Sequence, residues 1–138
     1  MRRSVKYRVM IRMERVNNRI TRALLRRGWA PSAFALLETT GRRSGQARHT
    51  PVGNGLSGST FWLVAAHGRQ SDYVRNIEAD PRVRVRIGRR WRTGTATPLP
   101  DDDPVARSRT LPYRCAAALG RLRASTPLTF RIDRAPEA

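Results

Sequence analysis

Leu37-Glu38-Thr39-Thr40-Gly41-Arg42-Arg43-Ser44-Gly45-Gln46-Ala47-Arg48-His49-Thr50-Pro51 reads as two extended runs joined by a loop that is bounded by glycines and filled with arginine. Glycine lets a backbone turn sharply and approach a ligand closely. Arginine presents a planar fork of donors that matches phosphate or carboxylate oxygens two at a time. Two readings follow from these residues alone: a charged hairpin turn with solvated side chains, or an anion site built on a hairpin.

Working outward, Phe34, Leu36 and Leu37 lead into a first strand, and Ala47 to Gly53 forms its partner. The cluster Gly53-Asn54-Gly55-Leu56-Ser57-Gly58-Ser59 then reads as a turn into a third strand, Thr60 to Ala66, which makes the opening hairpin part of a meander. Trp62 is expected in the core of that strand. His67-Gly68-Arg69-Gln70 breaks it, and Ser71 or Asp72 can cap a short helix that stops at Asp80-Pro81. Arg82-Val83-Arg84-Val85-Arg86-Ile87 alternates strictly, so the aliphatic side chains face a core and the arginines face out. Trp91 to Thr97 gives a fifth strand and Leu128 to Ile132 a sixth. The first five of these short strands, closing on themselves, already predict a small barrel.

Helices flank these strands. From Val9 to Leu25 the apolar positions Val9, Met13, Val16, Ile20 and Leu24 recur at helical spacing among arginines, and the segment ends near Gly28 and Pro31. That basic amphipathic helix can lie across the edge of the core, shield a lipophilic substrate, rest on an anionic membrane surface or contact nucleic acid. The acidic run Asp101-Asp102-Asp103 before Pro104 suits a helix start, with carboxylates at the positive end of the dipole. A further helical passage is expected through Tyr113 to Leu122. The organisation expected is a single domain, with residues 1–30 as the N-terminal helix and 31–138 as the barrel.

Composition narrows the partners. The 138 residues carry a net charge of +18, with 28 basic against 10 acidic side chains, and such a field draws anions. Aromatic residues make up only 7 %, which leaves few platforms on which bases could stack and disfavours nucleic acid. Cys115 stands alone and His49 and His67 lie far apart, so no metal centre is expected. No export signal and no run of 18 apolar residues is visible, and the expected location is the cytoplasm or the inner face of a membrane.

Three ordered motifs carry a resemblance: the arginine loop already quoted, Leu63-Val64-Ala65-Ala66-His67-Gly68, and Asn76-Ile77-Glu78-Ala79-Asp80-Pro81-Arg82-Val83. In order and spacing they resemble the deazaflavin-dependent nitroreductase family, a branch of the split β-barrel, flavin-reductase-like oxidoreductases. The resemblance implies a mainly β fold with flanking helices (α+β), a six-stranded split barrel of the FMN-binding type. It also implies coenzyme F420, a 5-deazaflavin bearing a phosphodiester and several glutamates, with FMN or haem as the ligands of related branches. Hydride would pass from the reduced deazaflavin to a small electron-poor acceptor such as a quinone, an enone or a nitro compound.

By the same resemblance, Arg42, Arg43, Gln46 and Arg48 would grip the cofactor's phosphate, Ser44 and Pro51 would be further cofactor-binding residues, and Ala65, Ala66, His67 and Gly68 would border the ring. Tyr73 and His67, with solvent, are the candidate proton sources. This chain departs from the family where many members carry a lysine after the strand and a Trp-Tyr pair before the Asn-Ile step; it has His67 and Tyr73-Val74. Two other classes remain open: a non-catalytic split-barrel cofactor binder, and a basic protein that binds nucleic acid or an anionic membrane. Either a monomer or a homodimer fits the charge.

Overall fold

A computed structural model describes residues 15, 18–28, 32–111 and 126–134 of the chain. The chain divides into two units, Met1–Pro31 and Ser32–Ala138. In the first, residues 18–26 form helix α1. It ends where the Gly28 N–H donates to the Leu25 carbonyl at 3.1 Å, at the expected glycine. The stretch from Val9 to Glu14, where the amphipathic pattern begins, lies outside the described residues.

The second unit holds one seven-stranded sheet, one strand more than the sequence predicts. Its strands are β1 (Phe34–Thr40), β2 (Ala47–Gly53), β3 (Leu56–Ser57), β4 (Thr60–Ala65), β5 (Arg82–Ile87), β6 (Arg90–Leu99) and β7 (Leu128–Arg134). The extra strand, β3, comes from the glycine-rich cluster expected to be only a turn, where Leu56 pairs with Phe61. The strand order is β2-β1-β5-β6-β7-β4-β3, and every pairing is antiparallel.

This order corrects the expected meander. β1 and β2 do pair along their whole length, from Phe34 opposite Gly53 to Thr40 opposite Ala47, but the chain then leaves for the far edge of the sheet. The other side of β1 is taken by β5, with Leu37 opposite Val85. β4 pairs with β7, with Leu63 opposite Phe130. Leu37, Val85, Leu63 and Phe130 are all but inaccessible to solvent, and burial of such side chains is worth about 1.5–3 kcal/mol each. A local hairpin-by-hairpin order would forfeit the second neighbour that β1 needs to bury both sides of its backbone.

The same order requires curvature. β2 and β3 are the two edges of the sheet, yet only Asn54 and Gly55 separate them. Three Cα–Cα steps reach about 11 Å, whereas seven flat strands would hold their outer members about 29 Å apart. The sheet therefore curls into a barrel whose two edges, β2 and β3, are not paired to each other. Asn54, itself buried, fixes the crossing point: its Nδ2 donates to the Ser32 carbonyl at 2.8 Å and its Oδ1 accepts from the Leu56 N–H at 3.1 Å.

Trp62 is not in the core as expected. Phe61, Leu63 and Ala65 take the buried face of β4, which by period 2 turns Trp62 to the other side. There the Arg107 guanidinium covers its ring at 4.0 Å. Arg107 belongs to helix α3 (Pro104–Arg109), which Asp103 caps as expected by accepting from the Val105 and Ala106 N–H groups. The passage expected from Tyr113 to Leu122 lies outside the described residues. Helix α2 (Asp72–Ala79) forms where the sequence places it and sinks Val74 and Ile77 into the core. No helix among the described residues is long and apolar enough to cross a membrane.

Candidate functional site: a cavity between the arginine loop and helix α2

The loop between β1 and β2 closes on itself. Gly41 N–H donates to the Gln46 carbonyl at 2.7 Å, and Gly45 N–H to the Gly41 carbonyl at 2.8 Å. Ser44 Oγ accepts from the Gln46 N–H at 3.2 Å. Space at Gly41 is tight: a Cβ there would lie 2.7 Å from Ser44 Oγ and 3.2 Å from the Gln46 carbonyl, so a side chain would require the Ser44 hydroxyl to turn away. The result is a compact turn that presents Arg42, Arg43, Ser44 and Arg48 to one side.

Helix α2 forms the opposite wall. Asn76, 4 % exposed, sits between the loop and β1. Its Oδ1 accepts from the Arg42 N–H at 3.2 Å and from Arg42 Nη1 at 2.9 Å, while its Nδ2 donates to Thr39 Oγ1 at 3.2 Å. Arg42 also reaches the first turn of α2, with Nη1 3.4 Å from the Asp72 carbonyl and Nη2 3.3 Å from Asp72 Oδ1. Between loop and helix lies a cavity of about 430 Å³, lined by Gly41, Arg42, Arg43, Ser44, Arg48, His49, Thr50, Asp72, Tyr73 and Asn76.

The arginines of the loop thus divide. Arg42 is engaged by α2, whereas Arg43 and Arg48 are exposed and meet no hydrogen-bonding or ion-pair partner among the described residues. Gln46 is exposed at the loop's exit and Pro51 is exposed on β2, and neither lines the cavity. Tyr73 does line it. Burial pushes the Tyr73 phenol above its ordinary value, and a hydrogen bond with Ser71 offsets part of that rise.

The strand-end residues sit elsewhere. Ala65 is fully buried in the core. Gly68, buried and at φ +52°, opens the 3-10 turn Gly68–Gln70 with its Cα against the Thr126 carbonyl, so no side chain could stand there. His67 lines a second cavity, of about 440 Å³, with Arg69, Gln70, Pro100, Thr126, Pro127 and Leu128. The structure therefore gathers Arg42, Arg43, Ser44, Arg48 and Tyr73 around one cavity and places His67 at another.

Gly41, His49, Thr50, Asp72 and Asn76 line the cavity without having been expected there from the sequence, and Asp72 and Asn76 are the two of them that hold Arg42. The available signal was Asn76 on the same buried stripe as Val74 and Ile77, since a polar side chain at a core position needs partners. Beside the cavity, on β1, Glu38 is held by Arg84 and His49, and Arg84 also stacks on Trp91 at 4.6 Å.

The family model of the F420H(2)-dependent quinone reductases matches residues 6–134. No curated protein matches the chain. Among solved structures, an F420-H2 dependent reductase (FDR-A) is 22 % identical, with 73 % of this chain and 94 % of that one covered and a TM-score of 0.58. A structure described as a domain-swapped dimer is 19 % identical over 94 % of this chain and 100 % of the other, with a TM-score of 0.60. The haem storage protein HutZ from Vibrio cholerae is 13 % identical over 77 % and 84 %, with a TM-score of 0.59. At such identities these likenesses establish the split-barrel fold.

Proposed function

The chain belongs to the F420H(2)-dependent quinone reductase family, and from that membership we propose that the cavity between the arginine loop and α2 grips the phosphate end of coenzyme F420 for reduction of a small acceptor. The family's members are oxidoreductases that use this cofactor. When bound, the reduced deazaflavin supplies a hydride; a quinone is the first choice of acceptor, with enones and nitro compounds next.

One observation carries the reading: Arg43 and Arg48 stand unpartnered among the described residues at the mouth of a cavity whose wall is a tight glycine turn. Guanidinium forks and a loop backbone without side-chain cover are the donor set a phosphodiester asks for, and the cavity's size falls within the range of small-ligand sites. The residues fit the group. Arg43 and Arg48 would bind its phosphate oxygens, and the surplus positive field would attract its glutamates. Arg42, held by Asn76 and Asp72, would fix the loop's position against α2. Tyr73, protonated because its burial disfavours the phenolate, would stand ready to give a proton to a reduced acceptor. His67 would contribute from the second cavity, with the half-buried Ala66 beside it on the ring side and the buried Ala65 and Gly68 supporting the strand end. A homodimer is part of the same proposal, supported by likeness to a structure described as a domain-swapped dimer.

Titration of the pure protein with F420, followed by the cofactor's fluorescence, tests the grip. Saturable binding is expected at micromolar concentrations, weakened about tenfold by Arg43→Ala and by Arg48→Ala, as loss of a charge-assisted hydrogen bond would do. Binding indifferent to both substitutions would overturn the assignment of the cavity. Oxidation of F420H2 in the presence of a menadione-type quinone would then identify the reaction.

A further inference from the structure

Asp72 is an acidic residue in the wall of a cavity otherwise built for anions. Its side chain is 85 % exposed, so the core does not require it, and its Oδ1 lies 3.3 Å from Arg42 Nη2. The Arg42 side chain is less open, at 25 %, and the partners of the two terminal nitrogens of its guanidinium all belong to α2: Asn76 Oδ1 and the Asp72 carbonyl for Nη1, Asp72 Oδ1 for Nη2.

We infer that Asp72 is a built-in counter-anion: it occupies the outer nitrogen of Arg42 and opposes any anion entering the cavity, so the cofactor's phosphate binds against it. The inference rests on the phosphate grip proposed above and adds the residue that sets its selectivity. A small free anion such as inorganic phosphate, with only charge to offer, meets an arginine already partnered and a carboxylate of like sign. A ligand with further contacts can push the Asp72 carboxylate into solvent, where it already stands for most of its surface. The pair is easy to displace because exposed ion pairs are weak.

F420 titrations of six proteins at low ionic strength test this: wild type, Asp72→Asn, Asp72→Glu, Arg42→Ala, the double variant Asp72→Asn/Arg42→Ala, and Arg43→Ala/Arg48→Ala. Asp72→Asn is expected to bind about two- to fivefold more tightly than wild type, the scale of one exposed charge pair, with the gain shrinking as salt is added. In the Arg42→Ala background the gain should fall to less than half, since part of it arises from freeing Arg42. Asp72→Glu keeps the charge and should keep wild-type affinity, and thermal unfolding of each variant confirms that α2 is intact. Inorganic phosphate, used as a competitor of F420, should compete better against Asp72→Asn than against wild type. Equal or weaker F420 binding by Asp72→Asn, with binding still lost in Arg43→Ala/Arg48→Ala, would overturn the role of Asp72 alone. Undiminished binding by Arg43→Ala/Arg48→Ala would instead remove the phosphate grip and Asp72's role with it.

Discussion

Glu38 and Arg84, 46 residues apart in the chain, meet at two points across the β1–β5 pairing: Nε to Oε1 at 2.8 Å and Nη2 to Oε2 at 2.7 Å. The same carboxylate holds His49 Nε2 at 2.7 Å. One carboxylate thereby links β2, β1 and β5 on a single face, because both partners stand directly opposite Glu38 in register. Burial by itself would push the Glu38 carboxyl up; hydrogen bonds from His49 and Arg84, with their charges, outweigh it and bring the pKa from 4.5 down to about 2.

A depressed carboxyl stabilises the fold above its unfolded value and loses that contribution as pH falls towards its folded value. The loss is therefore expected between pH 4.5 and about 2. Thermal melts across that window should show a fall in stability that is shallower in Glu38→Gln, which keeps only the contributions of other depressed carboxyls such as Asp80 and Asp102. At neutral pH Glu38→Gln should cost roughly 1–3 kcal/mol in urea unfolding, discounted for the solvent that reaches Arg84. Parallel pH curves for the two proteins would rule the linkage out.

Removal of the Asn76 amide strips three hydrogen bonds at once and leaves the buried Thr39 hydroxyl without that donor. Asn76→Ala should lower stability by about 1–3 kcal/mol and weaken F420 binding at least threefold, because Arg42 and its loop lose their anchor. Stability and fluorescence titration are measured on the same preparation. A destabilised protein with unaltered affinity would show that the loop keeps its shape without the helix.

Tyr73→Phe preserves the ring and deletes the proton. F420 affinity should stay within about twofold of wild type, while quinone-dependent turnover drops about a hundredfold, as befits a lost general acid. Since burial raises the phenol above its usual range, wild-type turnover should show no inflection from this group between pH 6 and 9. Full turnover in Tyr73→Phe would assign the proton to His67 or solvent.

Gly68→Ala forces a side chain into left-handed backbone at φ +52° and into the Thr126 carbonyl. A loss of about 2 kcal/mol or more is expected. Denaturant midpoints measure it, and a change below about 0.5 kcal/mol would mean that the turn relaxes without cost.

The sequence displayed what is local and concealed what is distant. β5 was legible because Arg82 to Ile87 alternates without interruption, and the β1–β2 hairpin because glycines bracket its loop. α3 announced itself through Asp103 and Pro104. The order of the strands was not legible, since β1 finds β5 more than forty residues on and a two-residue strand such as β3 carries no periodic signal. Trp62 misled because size argues for burial, whereas its parity in β4 sets it opposite Leu63. In the site, the arginine content was plain, but the division of labour among arginines was not: Arg42 is set apart by Asn76, 34 residues away. His67 and Tyr73 looked like neighbours in sequence; the turn at Gly68–Gln70 and the first turn of α2 carry them to different cavities.

The buried Asn76 amide joins three stretches that would otherwise breathe independently: Thr39 at the end of β1, Arg42 in the loop, and its own helix. Amide hydrogens there should exchange as one cooperative unit, with the loop as slow as α2 rather than as fast as a surface turn. The proposed anion grip is in that sense not an appendage to the barrel. It is expected to open only together with a helix whose Val74 and Ile77 sit in the core, which would give a surface loop the lifetime of the interior.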